Sequence, residues 1–245
     1  MILIAGQRSL TTRYHRPVTV KPHEKIDTGS DAVSSVRKES AAREIRSLVF
    51  AGELRPGSKV DQDALAERLG MSKLPVREAL IALAGEGIIE TIPRRGAYVA
   101  DLSREDIRDH YRMLGVISGL AAERAAANLS DDDFADLDAL AAQMEATDDL
   151  LEMERLNSAF HRMINKASRS RRLIAELRLL SRAIPPNFFD SHPDAVASSL
   201  RDHREILDAL RDRSPGIART LIEGHFLRGG HRAVELLEEA GFWRE

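Results

Sequence analysis

Apolar residues between positions 61 and 100 change their period along the chain. Two successive stripes have helical spacing, and they consist of Ala64, Leu65 and Leu69 and then of Val76, Leu80 and Leu83. Asp61 and Ser72 stand before the two stripes as N-cap residues, and Gly70 can end the first helix in the left-handed conformation. The pattern predicts two short helices joined by a tight turn.

The second helix is predicted to stop at Gly87, after which the pattern favours strands. Residues 88–92 and 97–99 are rich in β-branched and aromatic side chains, and residues 94–96 supply a basic turn between them. Helix, turn, helix and basic-tipped hairpin is the layout of a winged helix-turn-helix. We therefore expect a DNA-binding head in this part of the chain.

After residue 100 the pattern is helical almost to the end of the chain, and no strand pattern is found there. Six helices are predicted, at about 103–127, from 130 through 144, and at about 149–167, 170–183, 195–211 and 214–240. Pro185 and Pro186 interrupt the pattern, and residues 188–193 are predicted to form a loop. Gly115 and Gly119 either let another helix approach closely or relieve crowding in the core.

The predicted fold class is mainly α, with an N-terminal winged helix-turn-helix and an all-α C-terminal helical bundle. An additional first helix of the head is predicted at Glu39–Ala51. The predicted boundaries are residues 1–36 for a mobile N-terminal tail, 37–101 for the head and 102–241 for the bundle. The alternative for the tail is a basic arm that touches DNA.

Composition narrows the class of protein. The chain has 245 residues, which fits two domains, and it has no cysteine, which excludes a disulfide framework and thiolate chemistry. No run of about eighteen apolar residues exists, so we expect a soluble, cytoplasmic protein with no membrane partner.

The net charge is unevenly distributed along the chain, at +4 over residues 1–100 and −7 over residues 101–245. A basic head on an acidic body is consistent with a head that meets nucleic acid.

Residues suited to DNA contact cluster at two places. The first is the N-terminal end of the second helix, where recognition helices meet base edges and phosphates. The second is the tip of the hairpin, where Gly96 allows close approach to a phosphate backbone or a minor groove. The candidate DNA-binding residues are Lys73, Leu74, Pro75, Arg77, Arg94, Arg95 and Gly96. Any one of these residues alone could be an ordinary surface residue of a small helical domain. Their occurrence together, in this order along the chain, favours DNA binding.

Three histidines lie on core-adjacent faces of three different predicted helices, and they are His161, His203 and His225. Asn157 is four residues before His161 and shares its helical face. Neutral imidazoles that converge on one point suit zinc, nickel and similar ions. The alternative at each position is an ordinary histidine whose ring nitrogens form hydrogen bonds with other groups of the protein. The sequence does not decide between the two, because it does not show the distances between side chains on different helices of a bundle.

The run from Gly52 to Val99 resembles the N-terminal domain of the GntR family of bacterial transcription regulators. The stretches that carry this resemblance are Gly52–Gly57, Leu65–Gly70, Pro75–Leu80, Glu86-Gly87 and Arg95-Gly96. Lys73 stands where the family usually has Arg, and Leu74 stands where it usually has Thr. An arginine can form two parallel hydrogen bonds with guanine whereas a lysine is a point charge, so the operator half-site of the family is not carried over.

Residues 103–240 resemble the FCD-type ligand-binding domain found in GntR regulators of the FadR-like subfamily. Members carry an Asp or Asn four residues before the His of a Phe-His pair, then a His on each of the last two helices, and these residues bind a divalent metal. The resemblance implies a metal site, with zinc or nickel as the expected ion, whose ligands are Asn157, His161, His203 and His225. Leu114 and Ser118 stand where the family often has Arg and Glu, and that Arg often helps to hold a carboxylate effector. The effector-binding residues are therefore unassigned, and the arginines that can substitute are Arg112, Arg124, Arg182, Arg204 and Arg228.

The resemblance implies a metabolite-responsive transcriptional regulator, expected to be a repressor, that binds double-stranded operator DNA as a homodimer. The expected effector is a small organic acid. The alternatives are a metal-dependent enzyme of the helical bundle and a winged-helix protein-interaction module. We expect no enzymatic activity, because the chain contains no HExxH motif and no acid placed to act as a general base near His161.

Overall fold

The computed structural model describes residues 28–183 and 193–243. In chain order its helices and strands are α1 (Thr28–Phe50), α2 (Gln62–Arg68), α3 (Lys73–Gly85), β1 (Ile89–Ile92), β2 (Gly96–Val99), α4 (Arg104–Ala125), α5 (Asp131–Ala146), α6 (Leu150–Ala167), α7 (Arg171–Ala183), α8 (Pro193–Arg211) and α9 (Pro215–Glu239). The fold class predicted from the sequence, mainly α with a small winged head, is confirmed. No helix among the described residues is long and apolar enough to cross a membrane.

The head consists of α1 to α3 and an antiparallel hairpin in which Ile89 pairs with Val99 and Ile92 with Gly96. Asp61 caps α2 as predicted, because its carboxylate accepts hydrogen bonds from two backbone N–H groups of the first turn. Ser72 is the residue before α3, but its side chain accepts no capping hydrogen bond. The buried side chain of Arg46 on α1 forms an ion pair at 2.9 Å with Glu86, which ends α3. This pair fixes α1 against the C-terminal end of α3.

Two boundaries predicted from the sequence are wrong. Helix α1 begins at Thr28, so residues 28–36, which were predicted to belong to a mobile tail, are helical. Extending a helix needs no new nucleus, so polar residues that lack an apolar stripe can still continue it. Helix α8 begins at Pro193, the predicted end of a loop, since proline suits the first helical position. Residues 1–27 of the predicted tail and residues 184–192 of the predicted interruption lie outside the described residues.

The six predicted helices of the bundle are all found among the described residues, and two of them begin at a predicted cap whose side chain forms the capping bond. Ser103 and Ser130 each form a reciprocal capping box, with Asp106 and Asp133 respectively. Helices α4 and α9 pack closely side by side, and a Cβ atom added to Gly115 would lie 3.1 Å from Cβ of Phe226. Of the two roles open to the glycines of α4, close helix approach is confirmed.

The end of α9 belongs to the same hydrophobic core as the head. This core joins Ile45 and Leu83 of the head to Leu237 of α9 and to Phe242 just beyond it. The ring of Phe242 stacks on that of Phe50 with centroids 6.1 Å apart, and the indole N–H of Trp243 donates to the carbonyl of Leu102 at 2.7 Å. The head therefore does not bury its core by itself.

We predict that Phe242→Ala lowers the free energy of unfolding by about 3 kcal/mol, because it removes a ring that is 3% exposed and leaves a cavity under α1. The measurement is urea denaturation followed by circular dichroism. Ile217→Ala is the control, since Ile217 is on α9, the helix that precedes Phe242, but is 58% exposed, and its effect should stay within about 0.5 kcal/mol. Equal effects of the two substitutions would contradict a shared core.

Candidate DNA-binding face and metal centre

The N-terminal end of α3 presents the predicted recognition residues to solvent. Leu74 is 60% exposed, Arg77 is exposed, and the amine of Lys73 lies 2.8 Å from a carboxylate oxygen of Asp63 on α2. Pro75 differs from the prediction, because it is buried together with Val76. It shapes the first turn of α3 from the core side, and its ring is not available to DNA.

The hairpin carries the second part of this face. Arg94 and Arg95 are both exposed at its tip, and the guanidinium of Arg95 lies 5.8 Å from the ring centre of Tyr98. The turn requires positive φ at Arg94 (63°) and at Gly96 (105°). Only a residue without Cβ adopts the second of these angles readily, so Gly96 is needed for the turn itself.

The three predicted histidines meet inside the bundle. His161 comes from α6, His203 from α8 and His225 from α9, and one nitrogen from each ring lies within 4.8 Å of the other two. The ring centroids are 4.9 to 5.2 Å apart. His161 is 8% exposed and His203 is 1% exposed. We refer to these three residues as the triad.

The buried polar atoms around the triad lack hydrogen-bond partners. Nε2 of His161, both ring nitrogens of His203 and Oδ1 of Asn157 are buried without a partner. An unsatisfied buried polar atom usually costs about 1–3 kcal/mol, so several of them at one point require an explanation. Nitrogens of the three rings lie within 4.8 Å of one another, and imidazole nitrogens are ligands that divalent metals such as zinc prefer, so the triad fits such an ion.

Burial also sets the protonation of two rings of the triad. Desolvation lowers the pKa of His161 and His203 well below the ordinary value for an imidazole, and the neighbouring rings of the triad lower the pKa of both further. Both rings are therefore neutral near pH 7. Neutral imidazole is the form that donates a lone pair to a metal.

A carboxylate on α8 contacts the triad from outside. An oxygen of Asp202 lies 3.1 Å from Nδ1 of His225, and the other oxygen lies 2.6 Å from the guanidinium of Arg228. Burial by itself raises the pKa of Asp202, but the hydrogen bonds from His225 and Arg228 outweigh burial and leave this pKa below its usual value. Asp202 could not be identified from the sequence, because no spacing rule joins it to residues on α9.

A cavity of about 920 Å³ opens beside the triad, and His161, His225 and Asn157 are in its wall. This volume is within the range of small-molecule pockets. The cationic residues of its wall, among those the structure describes, are Arg162, Lys166, Arg178, Arg182, Arg228 and Arg232. The acidic ones in the same part of the chain are Glu154 and Asp202. The wall is therefore predominantly positive, which favours an anionic ligand.

The arginines considered as replacements for the missing family arginine fall into two groups. Arg182 and Arg228 line the cavity. The other three are outside the cavity wall: Arg112 pairs with Asp109, Arg204 pairs with Glu145 at 2.6 Å on the surface of the bundle, and Arg124 is exposed. Leu114, one of the two departures from the family pattern, also lines the cavity, whereas Ser118 is buried without a hydrogen-bond partner for its hydroxyl.

Two family models match the chain. Residues 37–99 match the model described as bacterial regulatory proteins, gntR family, and residues 109–228 match the FCD domain. The head and the bundle with its triad thus each correspond to a known family domain. The end of α9 that packs against the head lies beyond both matches.

Relatives and solved structures agree with these matches. An HTH-type transcriptional regulator in an unstable DNA locus of Streptomyces ambofaciens is 30% identical over 190 residues, 74% of this chain and 78% of the relative. The HTH-type transcriptional repressor RspR of Escherichia coli is 25% identical over 199 residues, 78% of this chain and 86% of RspR.

The structure of E. coli McbR/YncC has the same fold, with a TM-score of 0.63 and 21% identity, covering 81% of this chain and 97% of McbR. A regulator from Rhodococcus sp. RHA1 gives a TM-score of 0.55 at 22% identity, covering 82% of this chain and 98% of the regulator. The family and these relatives are described as transcriptional regulators. With a winged head and an FCD domain matched in one chain, this protein is a DNA-binding transcriptional regulator of the GntR family.

Proposed function

We propose that this regulator is a homodimeric repressor whose affinity for its operator depends on an organic anion held at a divalent metal in the bundle. The observation that carries the proposal is the triad, whose three rings meet in the bundle and in which Nε2 of His161 and both nitrogens of His203 are buried without a hydrogen-bond partner. Repression as the sign of regulation is supported by the name of the relative RspR.

The metal ligands in this proposal are His161, His203, His225 and Asn157. Imidazole binds a metal in its neutral form and an amide carries no charge, so a bound divalent ion, for which zinc or nickel suits these ligands, supplies a double positive charge that its protein ligands do not cancel. The arginine-rich wall adds to that positive field. An organic acid is the class of metabolite that such a field favours, and Arg228 and Arg182 are placed to contact it in the cavity.

The DNA-binding residues in this proposal are Lys73, Leu74 and Arg77 on α3 and Arg94, Arg95 and Gly96 on the hairpin. The N-terminal end of α3 enters the major groove, where Arg77 reaches base edges or phosphates and Leu74 can touch a thymine methyl group. The hairpin arginines meet the phosphate backbone or the minor groove. Pro75 supports this face from behind and makes no contact itself.

An apolar face on α4 and α9 supports the homodimer. Met113 is 51% exposed and Val116 is 39% exposed on α4, and Leu227 is 40% exposed on α9. Val116 and Leu227 each follow a residue of the Gly115–Phe226 contact, so they lie on adjoining parts of the surface. A second copy of the chain would cover this face and bring two heads to paired half-sites, which supplies base contacts that one head lacks.

We predict that His161→Ala, His203→Ala and His225→Ala each weaken zinc binding by more than about 100-fold, which exceeds the usual effect of losing a supporting residue. The measurement is zinc content by mass spectrometry and titration against a chelator. His231→Ala on α9 is the matched control, since His231 is exposed and outside the triad. Because burial holds the pKa of His161 and His203 well below the ordinary value for an imidazole, the unsubstituted protein should keep its zinc through about pH 6.5 and lose it only at lower pH, where these rings protonate. Zinc content that is the same in all four variants would contradict the proposed centre.

We predict that Arg77→Ala removes specific operator binding while the helical content stays unchanged. Arg94→Ala and Arg95→Ala should weaken binding to all sequences alike and reduce the dependence on salt concentration by about one counterion each, because hairpin contacts reach mainly the backbone. A gel shift on the upstream promoter measures both effects. Arg172→Ala, on an exposed part of the bundle, is the control and should bind like the unsubstituted protein. Unchanged binding by Arg77→Ala would mean that another face of the head meets DNA.

We predict that Met113→Glu converts the dimer to a monomer at micromolar concentration, because a second copy would have to bury the added charge. Sedimentation velocity measures the change. Leu151→Glu, which places the same charge at a 64% exposed position on α6, should leave the dimer intact. A monomeric unsubstituted protein would rule out the homodimer, and a dimeric Met113→Glu variant would place the interface elsewhere.

A further inference from the structure

Asp202 forms a hydrogen bond with one ring of the triad, whereas several other ring nitrogens of the triad have no partner. His225 is the member of the triad whose Nδ1 has a carboxylate partner, at 3.1 Å from Asp202. Among the residues that the structure describes, Nε2 of His161 and both nitrogens of His203 have none. One histidine is thus held by an outer group, and the other two are free to present a lone pair.

We propose that Asp202 is the positioning residue of the metal centre, and that its carboxylate supplies from outside the negative charge that Asn157 does not supply from within. The inference rests on the proposed metal site. Asp202 itself is not a ligand in this arrangement, because its oxygens are not part of the 4.8 Å cluster that the three histidines form.

Asp202 fixes the tautomer of His225. A carboxylate accepts hydrogen bonds and donates none, so the proton of the ring must sit on Nδ1, which donates it to Asp202. Nε2 is then left with its lone pair for a metal. Outer carboxylates that orient ligating histidines in this way also make the imidazole more basic, and their loss typically costs about 10- to 100-fold in metal affinity.

The charge of Asp202 acts on the site more strongly than that of its partner Arg228. The carboxylate side chain is 12% exposed, whereas the guanidinium side chain is 52% exposed and is better screened by solvent. Arg228 holds Asp202 with bonds of 2.6 Å and 3.1 Å and so keeps one carboxylate oxygen facing His225. The pair is formally neutral, but the field at the triad is that of a nearby anion.

The test compares the affinity of the full-length protein for Zn²⁺ alone, by chelator competition, in the unsubstituted protein and in Asp202→Asn. The expected result is about 10- to 100-fold weaker binding in the variant. Asp208→Asn is the matched control, because Asp208 is on the same helix and pairs with Arg211 at the surface, and it should bind like the unsubstituted protein. Equal affinity in Asp202→Asn would overturn the inference while leaving the metal site in place.

A second substitution distinguishes the effect of the negative charge of Asp202 from its effect on the orientation of the His225 ring. Asn157→Asp places a carboxylate directly at the site, so it should tighten binding in the unsubstituted background and restore at least about 10-fold of the affinity lost in Asp202→Asn. If the double variant binds no better than Asp202→Asn, Asp202 does not act through its charge and that part of the inference fails. If the unsubstituted protein binds no Zn²⁺, the proposed metal site fails first and the inference fails with it.

The tautomer of His225 can first be measured in the unsubstituted, metal-free protein, so this readout does not depend on the folding of a variant. Nitrogen-15 NMR distinguishes the two neutral tautomers of a histidine ring. His225 should carry its proton on Nδ1, and Asp202→Asn should shift the ring toward the Nε2–H form, because an amide can donate to Nδ1. A His225 ring protonated on Nε2 in the unsubstituted protein would overturn the positioning role.

Discussion

The close approach of α4 and α9 is the contact on which the geometry of the bundle depends. A Cβ atom on Gly230 would lie 2.7 Å from Cβ of Tyr111, and one on Gly115 would lie 3.1 Å from Cβ of Phe226. Cβ atoms are fixed by the backbone and cannot rotate away, so these glycines set the distance between the two helices. That distance affects how deep His225, the residue before Phe226, reaches into the bundle.

Helix α9 takes part in two hydrophobic cores. Its first half, with Ala218 and Ile222, packs in the core that also contains Phe160 beside the triad, and its second half, with Leu237, packs in the core of the head. A single uninterrupted helix transmits displacement along its length better than a linker does, because its backbone hydrogen bonds keep it rigid. The head and the triad are consequently joined by one element, although each corresponds to a separate family domain.

Much of the fold could be predicted because its signals are local. The cap at Asp61, the capping boxes at Ser103 and Ser130 and the apolar stripes each depend on residues within one or two helical turns. The three histidines could be named as candidates from their helix faces, but only the family resemblance joined them into one site, since His161 and His203 are on different helices. The bond between Asp202 and Arg228 could not be predicted, because it joins residues 26 positions apart and depends on how α8 and α9 pack. Burial of Pro75 likewise depends on the packing of α3 in the head.

The neutral, negative and positive groups around the proposed site lie at increasing distance from the interior of the bundle. This order separates retention of a metal from attraction of an anion. The neutral imidazole of His203, 1% exposed, lies deepest, the carboxylate of Asp202 lies farther out, and the guanidinium of Arg228 is half exposed to solvent. A buried anion acts on a cation at short range with little screening, so the inner groups favour retention of a metal. Exposed arginines act through solvent and over the width of the cavity, so they favour the approach of an anion. A site with the same residues in the reverse order would repel its metal and hold its effector poorly.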